Sequence, residues 1–521
     1  MKQTGKLARL GIQLAGVAAL AGMLGGCDEW ENVMKTEKVT PKYRAQPDSA
    51  KQLMSYISTA SSNGKRVRMT GSGHSASDIT ITNEVLFTPE KLNKPLNLDR
   101  ARLKNPADDK LVRVQSGMRI RELNTLLDSK GLAFSNLGGY DGQTIVGVMM
   151  TATHGSGLAY GPIADQAQSI QMVVEGGRMV QIEPTNGITN PATWRGRLEE
   201  DSTIPVELIQ NDDAFNAARV SFGSMGVVYS VVLRADQKFW LREVRRKIKW
   251  SELKKPGGYL ERLMQGLPVY ADKPSPEHWE LQYTPYADAN GDHTFLITER
   301  HRSYTPLPEQ PASERGQPGT DFVSGLITVV EQPIAAIIDT FPSLGKTILE
   351  QSLTSQEDDN YTNVSYKVFH IGVVNDTPAI GIEAAFDLSQ TVAALERSFA
   401  LSDQLFAQGM VHTSPIAIRF VKKTDALVAM QQGRNTGFME VIGMRDSKST
   451  VPLLKSYQRT MYQDLGARPH WGLDLNLLTG ESQLRGLYPK WDVWKAQYRR
   501  FNGGTFDGKV TDRLGISVRP R

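Results

Sequence analysis

Three glycine-rich stretches hold the residues whose types and spacing could do chemistry. In the first, Arg66-Val67-Arg68-Met69-Thr70-Gly71-Ser72-Gly73-His74-Ser75, a strand-like run ends on two glycines, a histidine and a serine. Glycines let backbone N–H groups approach a pyrophosphate with no side chain in the way, and successive amides in a turn form an anion-binding nest. Alone this is a weak signal, because Gly-rich turns are common and a histidine beside one is often structural. The second runs from Leu132-Ala133-Phe134-Ser135-Asn136-Leu137-Gly138-Gly139 through Gln143-Thr144-Ile145-Val146-Gly147 to Thr151-Ala152-Thr153-His154-Gly155-Ser156-Gly157. Its glycines and hydroxyls suit the wrapping of a dinucleotide. His154 reads equally as a loop hydrogen-bonder. The third is Ala217-Ala218-Arg219-Val220-Ser221-Phe222-Gly223-Ser224-Met225-Gly226-Val227-Val228.

In this order and at these separations, the three stretches resemble the FAD-binding domain of the vanillyl-alcohol oxidase and p-cresol methylhydroxylase (PCMH) superfamily. Within it the resemblance is to the sugar-1,4-lactone oxidases, including gulonolactone and arabinonolactone oxidases, and to the alditol oxidases. It is dense over residues 66–233 and returns at 414–425, 468–472 and 487–489. It implies an α+β fold: a two-subdomain PCMH-type FAD-binding domain and a cap domain with an antiparallel sheet and flanking helices. It further implies that Met69, Thr70, Gly71, Ser72, Gly73, His74 and Ser75 hold the pyrophosphate, with His74 bonded to the flavin 8α-methyl. Gly139, Thr144, Gly147, Thr151, Ala152, Thr153 and His154 would line the flavin and its phosphates, and Val228 would offer its backbone to the adenine side. A histidine bonded to the isoalloxazine makes that ring more electron-poor, which favours hydride acceptance from a CH–OH carbon. The implied partners are a small alcohol or lactone and, for reoxidation, oxygen or a membrane electron carrier.

Two positions depart from the family pattern. The substrate-side strand reads Ser414-Pro415-Ile416-Ala417-Ile418-Arg419, with alanine where the family carries a glutamate two residues before the arginine. The later motif reads His470-Trp471-Gly472-Leu473, with leucine where many members carry lysine. Losing a carboxylate and an ammonium together leaves no orphaned charge and predicts a less polar pocket. That admits a sterol or another apolar alcohol as substrate, or a flavin-binding lipoprotein of low turnover. Arg419 would stabilise negative charge on the reduced flavin or the substrate oxygen, since a guanidinium stays charged at any working pH. Alternatively it pairs with Asp425. The predicted catalytic set is Arg419, His470 and Glu383, and the proton acceptor is open among His470, His412, Glu383 and Glu440.

These residues need elements to hold them. A chain of 521 residues with 40% hydrophobic and 22% charged residues is an ordinary globular protein of two or more units. Three of its +4 net charges are Lys2, Lys6 and Arg9, so the basic balance points to no nucleic-acid partner. Those charges precede an uncharged run ending Leu24-Gly25-Gly26-Cys27, which resembles a lipoprotein signal with Cys27, the sole cysteine, as the lipidation site. Lipid-anchored residence in a bacterial cell envelope, facing the periplasm, follows as an expectation. The expected units are a signal peptide (1–26), a tether (27–48), the FAD-binding domain (49–235), a cap domain (236–480) and a C-terminal segment (481–521) returning to the FAD domain. A helix is predicted over 49–61 from Leu53, Met54, Ile57 and Ala60. The apolar segment 322–348 reads as a buried helical pair or, alternatively, a membrane-associated surface. No metal site is predicted.

Overall fold

The computed structural model describes residues 28–316, 334–370 and 379–520. The signal segment, Cys27 and residues 322–333 of the apolar segment lie outside them. The fold is α+β, in two halves, as expected.

The first half is built on two sheets of three or more strands. A small parallel one has β1 (Tyr43–Ala45), β2 (Val67–Met69) and β3 (Val85–Phe87), with β3 central. The predicted helix, Ala50–Ser62, packs on it through Leu53, Ile57 and Ala60, and its cap Ser49 accepts from the Gln52 amide at 3.3 Å. The larger sheet comprises β4 (Pro95–Leu96), β5 (Leu111–Gln115), β6 (Ala167–Val174), β7 (Arg178–Glu183), β8 (Val206–Gln210) and β9 (Val227–Arg234), in the order β8-β7-β6-β9-β5-β4. Its runs of Val, Ile and Met suit a sheet buried on both faces.

The second half is built on eight strands: β10 (Trp240–Lys249), β11 (His278–Tyr283), β12 (Thr294–Ser303), β13 (Asp358–Val364), β14 (Ala379–Asp387), β15 (Ile416–Val421), β16 (Thr436–Met444) and β17 (Arg468–Pro469). They pair antiparallel in the order β13-β10-β12-β11-β15-β16-β14-β17. Side chains alternate between faces at period two. Ile416, Ile418, Leu281, Tyr283, Met439 and Val441 therefore join the core beneath helices Thr391–Ala407 and Thr450–Leu465. The intervening residues, Ala417, Arg419, Glu440 and Glu383 among them, share the other face, which meets the first half.

Residues 28–46 were expected as a tether and instead fold. Trp30–Glu31 pairs with Lys38–Val39, the Val33 amide donates to Gly73 O at 2.8 Å, and Asn32 Nδ2 donates to Ser75 O at 2.8 Å. Two-residue strands held by side-chain-to-backbone bonds leave no apolar period to read. The C-terminal segment packs on the first half: the Val67 amide donates to Thr505 O at 2.7 Å, Arg66 makes a two-bond fork to Asp512, and Trp494 Nε1 donates to Val220 O at 3.1 Å. In the described part of the apolar segment, helices Ile334–Thr340 and Pro342–Thr354 bury Ile337, Ile338, Ile348 and Leu349. Among the described residues no helix is long and apolar enough to cross a membrane.

Candidate active site

The loop after β2 is shaped by close approach. A Cβ at Gly71 would stand 2.5 Å from Thr144 Oγ1, the hydroxyl that caps helix Ile145–Met150 by accepting from the Gly147 amide at 3.2 Å. Only glycine lets these two segments meet, and Gly73, at φ +78°, needs the left-handed region. Thr151 Oγ1 donates to Gly147 O at 3.0 Å, and Ala152 holds φ at +55°, a backbone strain of the kind that collects at binding sites. A Cβ at Gly155 would fall 2.2 Å from Asn136 Oδ1. The Asn136 amide is buried, and neither its oxygen nor its nitrogen has a hydrogen-bond partner among the described residues. A glycine cradle beside an unspent buried amide fits a large polar cofactor such as FAD.

Arg68, unremarked in the sequence, ties the third stretch to the first. Its buried guanidinium donates to Gly223 O and Phe506 O, each at 2.9 Å, and to Phe222 O at 2.5 Å. Val228 sits buried on β9 opposite Met172, and Gly139 O lies 3.2 Å from His370 Nδ1. His74 is half-buried, its ring centroid 4.5 Å from that of Tyr140. Burial, with Arg119 and Arg121 nearby, pushes its pKa down to about 4. The imidazole is therefore neutral at neutral pH, with a nitrogen lone pair free to form a bond.

The other wall is the charged face of the eight-stranded sheet. Glu383, Glu440 and Ala417 are successive Cα partners across β14, β16 and β15, and Arg419 follows Ala417 on the same face. Arg419 Nη1 donates to Glu440 Oε2 at 2.5 Å and lies 3.8 Å from Glu383 Oε1, while its Nε donates to Glu280 Oε2 at 3.3 Å. Its Nη2 takes no hydrogen-bond partner among the described residues, and 22% of the side chain is exposed. His154 reaches across from the first half, with Nε2 3.2 Å from Glu383 Oε2, Nδ1 2.8 Å from Gly155 O and its ring 3.8 Å from that of Phe438. His470 Nδ1 accepts from the Gly472 amide at 3.0 Å, which leaves its proton on Nε2, 4.0 Å from Glu383 Oε2. Burial pulls His470 down to about 4, although Glu383 opposes this. Burial pushes the Glu383 carboxyl up, but His154, His470 and Arg419 outweigh it and hold the group below the ordinary range.

The charge continues away from the site. Glu280 accepts from Arg300 at 3.0 Å; Arg300 donates to Glu243 at 2.8 Å; and the fully buried Glu243 also meets Arg245 and Arg315, each within 2.9 Å. Burial pushes Glu243 up, yet these arginines hold it far below its ordinary range.

The structure thus gathers Arg419, His470, Glu383, Glu440 and His154, and corrects three expectations. His412 lies elsewhere, buried among Ser402, Tyr457 and Tyr286, and burial pushes it down to about 3. Arg419 pairs with three glutamates rather than Asp425, because sheet register brings those carboxylates to its face. The face around Ala417 is strongly charged, not the less polar wall predicted, because neighbouring strands carry the carboxylates. Glu280 was missed: in sequence it is one acid in an alternating strand, and nothing local marks its partner.

An FAD binding domain family matches residues 41–183, and the D-arabinono-1,4-lactone oxidase family matches residues 260–502. L-gulono-1,4-lactone dehydrogenase of Mycobacterium tuberculosis is 26% identical over 473 residues, covering 90% of this chain and 94% of its own. L-gulonolactone oxidase of Bos taurus is 24% identical over 456 residues, covering 85% and 88%. Among solved structures, a cholesterol oxidase from B. sterolicum superposes with a TM-score of 0.71 at 14% identity, over 93% of this chain and 96% of that one, a likeness of fold alone.

Proposed function

We propose that the chain is a PCMH-type FAD flavoprotein beside the sugar-1,4-lactone oxidases and that it oxidises a CH–OH group of a sugar lactone or related polyol, a reading supported by the two matched families and the full-length lactone-oxidising relatives. One observation carries the choice of substrate class: Arg419, Glu280, Glu383, Glu440, His154 and His470 converge at the seam between the two halves. The atoms left there without hydrogen-bond partners among the described residues, Arg419 Nη2, Glu440 Oε1 and His470 Nε2–H, are matched by a ligand rich in hydroxyls and stay unpaired beside an apolar one. This favours a lactone or polyol over a sterol.

FAD, when bound, supplies the hydride acceptor. The chain does the rest. Within residues 69–75 the turn from Gly71 to Ser75 would offer amides to the pyrophosphate, the Thr70 amide being spent on Phe87 O at 2.9 Å, and His74 would present a neutral nitrogen for a covalent bond to the flavin. Arg419 Nη2 is a free donor toward negative charge that develops during oxidation, and its guanidinium keeps its proton at any working pH. His470 Nε2–H is a second donor. Glu383 fixes both histidines without taking the proton itself. Cys27, outside the described residues, would carry the lipid that holds the protein at a membrane, where a membrane electron carrier could replace oxygen as acceptor.

The test is bleaching of the flavin spectrum by L-gulono-1,4-lactone, D-arabinono-1,4-lactone, polyols and sterols, with and without oxygen. Bleaching by a lactone or polyol is expected. Bleaching by sterols alone would refute the substrate class, and none by any compound would refute the oxidising role. In the same preparations, flavin fluorescence on the acid-denatured band should vanish in His74→Ala, and Cys27→Ser should leave the membrane fraction.

A further inference from the structure

Resting on the hydroxyl oxidation proposed above, we infer that Glu440 is the catalytic base, taking the substrate hydroxyl proton on Oε1. Four other groups in the cluster are occupied. Both oxygens of Glu280 accept guanidinium bonds, Oε1 from Arg300 and Oε2 from Arg419. His470 has its Nδ1 lone pair engaged by the Gly472 amide and its proton on Nε2, so it donates. Both ring nitrogens of His154 face acceptors. Glu383 is enclosed by two histidines and Arg419, with 4% of its side chain exposed. Glu440 differs from all of these. Its Oε2 accepts from Arg419, its Oε1 has no hydrogen-bond partner among the described residues, and 20% of its side chain is exposed.

Ala417 completes the geometry. It is the Cα partner of Glu440 on the same face, and its methyl group carries no polar atom that could occupy that carboxylate from the facing strand. The balance of the step is simple. The O–H bond breaks and its proton joins Glu440 Oε1; the C–H bond breaks and its electron pair leaves as hydride to the oxidised flavin; the carbon–oxygen bond becomes a carbonyl. The partial exposure of Glu440 then lets the proton pass to water.

The experiment uses flavin-loaded Glu440→Gln. Glutamine keeps the shape and an acceptor oxygen but is not a useful base. Anaerobic flavin reduction by L-gulono-1,4-lactone should slow about 100-fold or more, the usual cost of losing a positioned base. Calorimetric affinity of the pre-reduced protein for the same lactone should stay within about threefold, as expected when only proton transfer is lost. Ala417→Glu in a Glu440→Ala background returns a carboxylate from the facing strand and should recover about tenfold over Glu440→Ala. Flavin content equal to wild type reports folding; should Glu440→Gln lose flavin, the Glu440→Ala pair carries the comparison. Reduction within threefold of wild type, or an affinity that falls as far as the rate, overturns the assignment. A wild-type protein that no lactone reduces would instead refute the hydroxyl-oxidising reading on which it rests.

Discussion

In residues 69–75 and 144–157 the backbone itself shapes the site, since a Cβ at Gly71 or Gly147 would crowd Thr144 Oγ1 and one at Gly155 would meet Asn136 Oδ1. Across the eight-stranded sheet the reverse holds: the backbone is spent in the ladder, and side chains from six strands supply Glu243, Arg300, Glu280, Arg419, Glu440 and Glu383. A glycine cradle tolerates no added atom, whereas an alternating charge row tolerates size but not loss of sign. The two walls should therefore fail in different ways.

The largest effect should come from Gly71→Ala. Its methyl would collide with Thr144 Oγ1 at 2.5 Å, so flavin content should fall to near zero while the folded fraction, measured by circular dichroism, stays high. Retained flavin would mean the cradle is looser than the fold implies. Glu243→Gln attacks the other wall by leaving Arg245, Arg300 and Arg315 facing an uncharged amide in a fully buried site. Breaking such a pairing costs about 3–5 kcal/mol, read in urea unfolding. Flavin content of the protein that remains folded should be unchanged. A loss below 1 kcal/mol would show that the row is not a buried network.

A smaller effect is pH-dependent. Burial lowers His278 and His412 to about 3 and His470 to about 4, from an ordinary 6.5. Because the unfolded chain binds these protons first, unfolding free energy should rise with pH between about 3 and 6.5 and level above it. His412→Gln, remote from the site, should flatten part of that rise without altering flavin content. An unchanged slope would contradict the assignment of that histidine as buried and neutral.

The same contrast explains what was legible beforehand. Cofactor-loop residues lie close together in sequence, so Gly71, His74, Thr144 and residues 151–154 stand out among neighbouring glycines and hydroxyls, and the family resemblance assigned them their roles. Arg419, His470 and Glu383 were found through motif resemblance, but not their mutual contacts, which depend on which strands pair. Glu280 and the Ala417–Glu440 pairing arise from register that joins residues more than 20 positions apart in sequence. Register is set by the hydrophobic face and the turns together, and a one-residue slip would send each charge to the opposite side. Ala417 therefore misled: read alone it signalled an apolar pocket, while its partner across the ladder is a carboxylate. Residues 28–46 misled similarly, since Asn32 organises that segment through hydrogen bonds rather than through a repeating apolar pattern.

The claim that the charged sheet face and the glycine cradle form one oxidising site is tested most directly by anaerobic flavin reduction in Arg419→Met. This side chain keeps roughly the length of arginine's aliphatic stem and removes its charge and donors. With L-gulono-1,4-lactone as reductant, the wild-type flavin should bleach fully and the variant should bleach at least about 100-fold more slowly, with normal flavin content. Equal rates in the two proteins would contradict the account, because the guanidinium at the seam would then play no part in the reaction.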